Sequence, residues 1–294
     1  VSVAGPTVGP RRAPTEGGRA DEEAAVRYGI EVVPFGPYAE PGPVVELARA
    51  AEAAGWEALA IWDHCHFWGG VADPWVTLAA VACATERLRL VTDVVPVPRY
   101  RPHLLARSVH ALDALSGGRV VLGAGLGVAE DLGPVGDHRD DRTRAAMTDE
   151  ALDLVVRWCA GETVEHRGEH YVAEGVQVAS RAVQAPRVPV WIGGWSRPAL
   201  RRAARWDGWT AAVIDETAAV RCPPEGIAGS VQRLRELGVG PDFDVAVNGT
   251  TAPGERGLVP EYAEAGATWW LESVFGLRGS HEEMLERVAA GPPR

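Results

Sequence analysis

Residues 58–68 read Ala58-Leu59-Ala60-Ile61-Trp62-Asp63-His64-Cys65-His66-Phe67-Trp68, an apolar run that ends abruptly in an acid, two imidazoles, a thiol and two aromatics. A strand covered by helices on both faces loses the apolar–polar alternation of a half-exposed strand and reads as continuous hydrophobic sequence. This run is long enough for one such strand. In α/β folds, ligands gather at the carboxyl ends of parallel strands. Titratable groups crowded at this end therefore stand where chemistry is done.

Working outward, the pattern recurs. Strands are predicted at 28–34, 56–62, 88–95 and 120–127, with helices at 43–54, 75–85 and 102–115 between them. The punctuation agrees: Gly55 follows the first helix, Asp73-Pro74 supplies an N-cap and a first-turn proline, and Ser116-Gly117-Gly118 stops the third helix. A helix at 142–159 opens the second half, followed by a Gly- and charge-rich excursion (161–185) in which 171–173 and 176–179 are expected to pair as a hairpin. Strands at 188–192, 208–213, 243–248 and 268–274 then alternate with helices at 198–206, 225–237, 257–265 and 281–289.

Eight strand–helix pairs close a parallel barrel more naturally than they extend an open doubly wound sheet, the alternative topology. The expected fold class is α/β: a single (β/α)8 TIM barrel over 28–294 with an insertion after strand 4, at 128–141. Residues 1–27, rich in Gly, Pro, Arg and Glu and without apolar periodicity, read as a disordered N-terminal extension.

Composition removes several function classes. A formal charge of −11 is the wrong sign for a nucleic-acid footprint. No run of about 18 apolar residues exists to span a membrane. All 29 basic residues are Arg. Schiff-base, pyridoxal and carbamylated-lysine chemistry all need an amine that is absent. Cys65, Cys83, Cys159 and Cys222 are scattered without a C-x-x-C pair; with no recognisable leader, the expected compartment is reducing and cytoplasmic.

Several residues emerge as site candidates. His64 has a side chain suited to trading protons near neutrality, although a hydrogen-bonded structural histidine at a strand end would read the same. Asp63 suits electrostatic support of its neighbour or a loop brace. His64 and His66 have a spacing that can share one face and bind zinc. No further paired ligands lie nearby, so no metal is expected and a metal-dependent barrel hydrolase is the weakest of the function classes.

Asp93 closes the third strand. Gly123, Gly125 and Gly127 form G-x-G-x-G, which lacks the third glycine of a dinucleotide fingerprint and suits close approach of backbone to a ring or ribityl chain. Gly193-Gly194-Trp195-Ser196-Arg197-Pro198 follows strand five and opens a helix, so that free N–H groups, a hydroxyl and an Arg make an anion seat. A glycine turn with an ordinary serine cap would look identical. On the expected rim loops, Trp195 suits the wall of a cofactor-ring pocket, and Trp68 together with His66 the wall of a substrate pocket.

Taken in order, several segments resemble the bacterial luciferase-like monooxygenase superfamily: Ala53-Ala54-Gly55-Trp56, Ile61-Trp62-Asp63-His64, Asp73-Pro74-Trp75 and Thr85-Glu86-Arg87-Leu88-Arg89-Leu90. They continue with Leu112-Asp113-Ala114-Leu115-Ser116-Gly117-Gly118-Arg119, Leu122-Gly123-Ala124-Gly125-Leu126-Gly127, Pro189-Val190-Trp191-Ile192-Gly193-Gly194 and Ala203-Ala204-Arg205-Trp206-Asp207-Gly208-Trp209. The resemblance implies a barrel oxidoreductase acting on a small organic molecule. Its cofactor would be either FMN, reduced by a separate flavin reductase and used with oxygen, or the deazaflavin coenzyme F-420, used for hydride transfer. It implies an acid–base role for His64, a cis peptide at Asp93–Val94 behind the cofactor ring, a phosphate held around Gly193, Gly194 and Ser196, and a homodimer. A non-catalytic flavin-binding homologue is the alternative.

Overall fold

A computed structural model describes residues 26–66, 69–213, 220–252, 255 and 257–294. Eight parallel strands close into a barrel: β1 (Arg27–Val32), β2 (Ala58–Ile61), β3 (Arg89–Thr92), β4 (Val120–Gly125), β5 (Val190–Gly193), β6 (Gly208–Ala212), β7 (Asp244–Gly249) and β8 (Trp269–Val274). Closure is made where β1 pairs with β8, from Arg27↔Trp269 to Val32↔Val274. Beyond a cis peptide at Asp93–Val94, Val95–Pro96 continues β3 and pairs with the end of β4. Among the described helices, none is long and apolar enough to cross a membrane.

The outer helices include α1 (Pro41–Ala53), α2 (Pro74–Ala84) and α3 (Pro102–Ser116). After β4 the insertion carries a short helix, α4 (Ala129–Leu132), before the long α5 (Asp141–Cys159). Next comes α6 (Arg197–Ala203), which follows β5. Their ends obey the local chemistry. Asp73 Oδ1 accepts from the Val76 N–H at 2.8 Å, with Pro74 opening α2. Gly117 ends α3 at φ 69°, a left-handed conformation that costs glycine no Cβ clash.

The opening stretch shows how the barrel fills. Along β2, Leu59 and Ile61 point outward into the helix-covered core, whereas Ala58 and Ala60 point inward, against the indoles of Trp191 and Trp269. Those rings lie 5.8 Å apart, and both donate to the Asp244 carboxylate. Small residues on one stave and large ones opposite fill the interior. Nearer the carboxyl ends the inward positions turn polar. Glu31, Asp93, Thr210, Asn248 and Ser273 meet there, and with them the packed barrel becomes the floor of a cavity.

Two expectations need comment. The hairpin forms between Val164–Arg167 and Val172–Val176, not between 171–173 and 176–179. Its turn is fixed from outside, because Glu150 accepts the backbone N–H groups of His170 and Tyr171. The disordered extension expected at 1–27 falls largely outside the described residues, but Arg27 opens β1, pairs with Asp244 and lies over the Trp269 ring at 4.4 Å.

Candidate functional site

A cavity of about 780 Å³ opens at the carboxyl ends of the strands. That size, and walls that are apolar apart from a few convergent polar groups, suit a small-molecule site. Of the residues singled out in the sequence, Asp63, His64, Asp93, Val94, Gly125, Gly193, Gly194, Trp195 and Ser196 all line it. His66 does not: it is exposed, and its backbone N–H donates to Asp131 at 3.1 Å. Trp68 lies outside the described residues. Among those described, no group of three His, Cys, Asp or Glu side chains is arranged to hold a metal ion.

On one side stands the loop after β2. His64 Nδ1 is 3.5 Å from Asp131 Oδ2, and its ring lies 5.7 Å from that of Trp62. Burial holds the imidazole below the ordinary histidine range, with the Asp131 and Asp63 charges pulling the other way. Asp63 is buried and engaged elsewhere. It pairs with the Arg99 guanidinium and accepts from Tyr100 Oη at 2.6 Å. Burial pushes its carboxyl up, and Arg99 and Tyr100 counter that. This is a loop brace. Cys65 has its thiol pushed up by burial, so it is not poised as a thiolate.

The floor holds two neighbouring carboxyl groups, Glu31 and Asp93. Glu31 is 1% exposed. It accepts from Trp62 Nε1 at 2.6 Å, Asn248 Nδ2 at 2.6 Å and Ser273 Oγ at 2.7 Å. Asp93 accepts from Thr210 Oγ1 at 2.8 Å. No Arg or His pairs with either acid among the described residues. Burial raises both, and the Glu31 charge pushes Asp93 well above the carboxylate range. Two such neighbours do not both ionise readily, and the neutral form is favoured at Asp93.

Around the cavity the glycines admit protein atoms at close range. A Cβ on Gly123 would sit 1.8 Å from the Thr92 carbonyl oxygen, and one on Gly125 would sit 2.5 Å from Val94 Cγ2. One on Gly193 would meet Val94 Cγ1 at 3.1 Å. The missing side chains thus make room for the Val94 isopropyl group, which forms the cavity wall. Gly194 has φ +117° and leads into α6, where Ser196 Oγ accepts the Ala199 N–H at 3.2 Å. Trp195 packs edge-on against Trp209 at 5.2 Å. Across the opening, Arg142 of α5 lines the same cavity.

Sequence reasoning missed Glu31, Asp131, Arg99, Thr210, Asn248 and Arg142. For Glu31 a signal existed: an acid inside an otherwise apolar strand run is rarely buried without a reason. For the others, nothing local marks which loop folds over which strand.

A closed eight-stranded barrel with titratable groups around its mouth is an architecture many barrel enzymes share. The sequence profile of the luciferase-like monooxygenase family matches residues 20–288, and the chain belongs to that family of oxidoreductases. Among curated proteins, an F-420-dependent glucose-6-phosphate dehydrogenase of Nakamurella multipartita is 34% identical over 173 residues, 56% of this chain and 50% of that protein. The chain thus spans about half the length of the curated dehydrogenases it matches. An uncharacterised protein of Mycobacterium tuberculosis (strain H37Rv) is 30% identical over 73% of this chain and 80% of its own. In fold, the chain is similar to the coenzyme F-420-dependent tetrahydromethanopterin reductase of Methanopyrus kandleri, with a TM-score of 0.73 at 18% identity over 90% of this chain and 98% of that one. A monooxygenase of Streptomyces bottropensis gives 0.70 at 20% identity, over 90% and 98%.

Proposed function

We propose that this chain moves a hydride between the deazaflavin coenzyme F-420 and a small organic substrate bound in the barrel mouth. The observation that carries the reading is the placement of His64 and the Glu31–Asp93 pair around one cavity whose remaining wall is largely apolar. The named activity of the curated relatives supports the cofactor class.

The cavity fits such a group. Val94, Pro96, Leu126 and Val128 offer apolar surface, the floor offers donors and acceptors, and Gly193, Gly194 and Ser196 with Arg142 offer an anion seat. When bound, the deazaflavin supplies or takes up the hydride. The protein handles the proton. A largely neutral His64 can accept one from a substrate hydroxyl during oxidation or return it during reduction. Asp63, fixed by Arg99 and Tyr100, keeps the loop in place, and the buried floor excludes bulk water.

An FMN-and-oxygen reaction uses the same cavity, and the family includes monooxygenases. Anaerobic assays separate the two. Oxidation of reduced F-420 by small carbonyl or unsaturated acceptors is expected without oxygen, falling roughly 10²- to 10⁴-fold in His64→Ala. Turnover only with reduced FMN and oxygen favours the second reading; an unchanged rate in His64→Ala removes the histidine from the chemistry.

A further inference from the structure

The insertion after β4 does more than frame the cavity. Asp131, at the end of α4, is 5% exposed, and its carboxylate spans three contacts in the loop after β2. Oδ1 accepts the Cys65 N–H at 2.9 Å and the His66 N–H at 3.1 Å, and Oδ2 accepts the Cys65 N–H at 3.0 Å. Oδ2 also stands 3.5 Å from His64 Nδ1, and 4.0 Å from Arg99 Nη1. The sequence separation is 66 residues, so this is a long-range clasp between two loops of the mouth.

We propose that Asp131 is the positioning residue for His64: one buried carboxylate fixes the backbone that presents the ring and faces the Nδ1 edge of the imidazole. The assignment rests on the oxidoreductase reading for its catalytic meaning, but the electrostatic linkage holds in the protein without cofactor. A carboxylate at Nδ1 favours the protonated ring, as it does wherever an acid orients a catalytic histidine. Among the described residues, Asp63 bears on His64 in the same sense and Arg99 opposes it. Arg99 is itself tied to Asp63. Asp131 is thus the one of these groups that both holds the His64 loop by its backbone and touches the ring.

The consequence is that the insertion and the histidine work as one unit. Removing the charge while keeping the shape lowers the basicity of His64; removing the whole side chain also frees the loop.

The test uses the full-length chain labelled with 13C at histidine Cε1, with His64→Ala to assign the resonance among the 8 histidines. Titration of Asp131→Asn without cofactor should move the His64 midpoint down by about one pH unit or more, as expected when an opposite charge at this range is lost. Asp131→Glu should restore it. In turnover, the acid limb of the kcat/KM profile should move in the same direction while KM changes little. A merely structural Asp131 would lower stability and raise KM but leave the His64 midpoint in place, and that result overturns the proposal. Should Asp131→Asn fail to fold, Asp131→Ser decides: a His64 midpoint that keeps its wild-type value without the carboxylate counts against it. If the midpoint shifts as expected but His64→Ala turns over F-420 at the wild-type rate, the linkage stands and the catalytic reading fails.

Discussion

Asp93 stands beside Glu31 at the floor of the barrel mouth, near enough for the charge of one acid to bear on the other. The two come from β1 and from the end of β3, and no cation pairs with either among the described residues. Burial and the Glu31 charge both favour the neutral form of Asp93, which gives the pair a signature in pH.

For Asp93 the folded-state pKa is raised, so stability is fully present below its unfolded value and is lost as pH rises toward the folded one. Asp93→Asn copies the protonated acid, including its donor, and cannot ionise. The variant should match wild type in denaturant midpoint near pH 4 and exceed it increasingly as pH rises above that. Urea titrations at a series of pH values check this. A constant gap would mean that Asp93 does not carry the proton.

Asp63 makes the opposite kind of demand. Its side chain is 1% exposed and depends on Arg99 and Tyr100. Arg99→Gln leaves a buried carboxylate with a hydroxyl but no cation, and should cost about 3 kcal/mol at neutral pH. Because losing Arg99 raises the Asp63 value further, the deficit should shrink as pH falls and Asp63 is neutralised. Chemical denaturation at pH 5 and pH 8 measures the difference.

Three glycines around Val94 divide stability from binding. Gly123→Ala forces a Cβ onto the Thr92 carbonyl and should destabilise by about 1–3 kcal/mol or more, as over-packing does. Gly193→Ala meets the Val94 side chain alone, its two methyl groups at 3.1 and 3.2 Å. It should leave the unfolding midpoint close to wild type while narrowing the cavity. Equal losses of stability in the two variants would contradict this account of the wall.

Much of the barrel was legible in the sequence because helix ends carry local chemistry. Asp73-Pro74 and Gly117 cap the helices they were expected to cap, and the continuous apolar strand at Ala58–Ile61 is buried at every position. The strand ends point to the mouth for the same reason: His64, Asp93, Gly193 and Ser196, each at or just past one of them, line the same cavity. What stayed hidden was direction. In a strand buried on both faces, inward and outward residues are equally apolar, so nothing near Glu31 says that it faces Asn248 and Ser273. The Asp131 clasp was hidden because a sequence does not say which loop folds over which. The glycines of 123–127 were read as space for a ligand, whereas at Gly125 the space belongs to Val94.

The central claim is that the mouth bounded by Val94, His64 and Gly193 holds a deazaflavin ring. Fluorescence titration of the cofactor-free chain with F-420, monitored through Trp62 and Trp195 beside the cavity, tests it most directly. Saturable one-to-one quenching by F-420, weakened strongly in Gly193→Val with the fold intact, is the predicted result. Quenching that Gly193→Val leaves unchanged, or none by F-420 at ~100 μM, the range of a weak specific ligand, would contradict it.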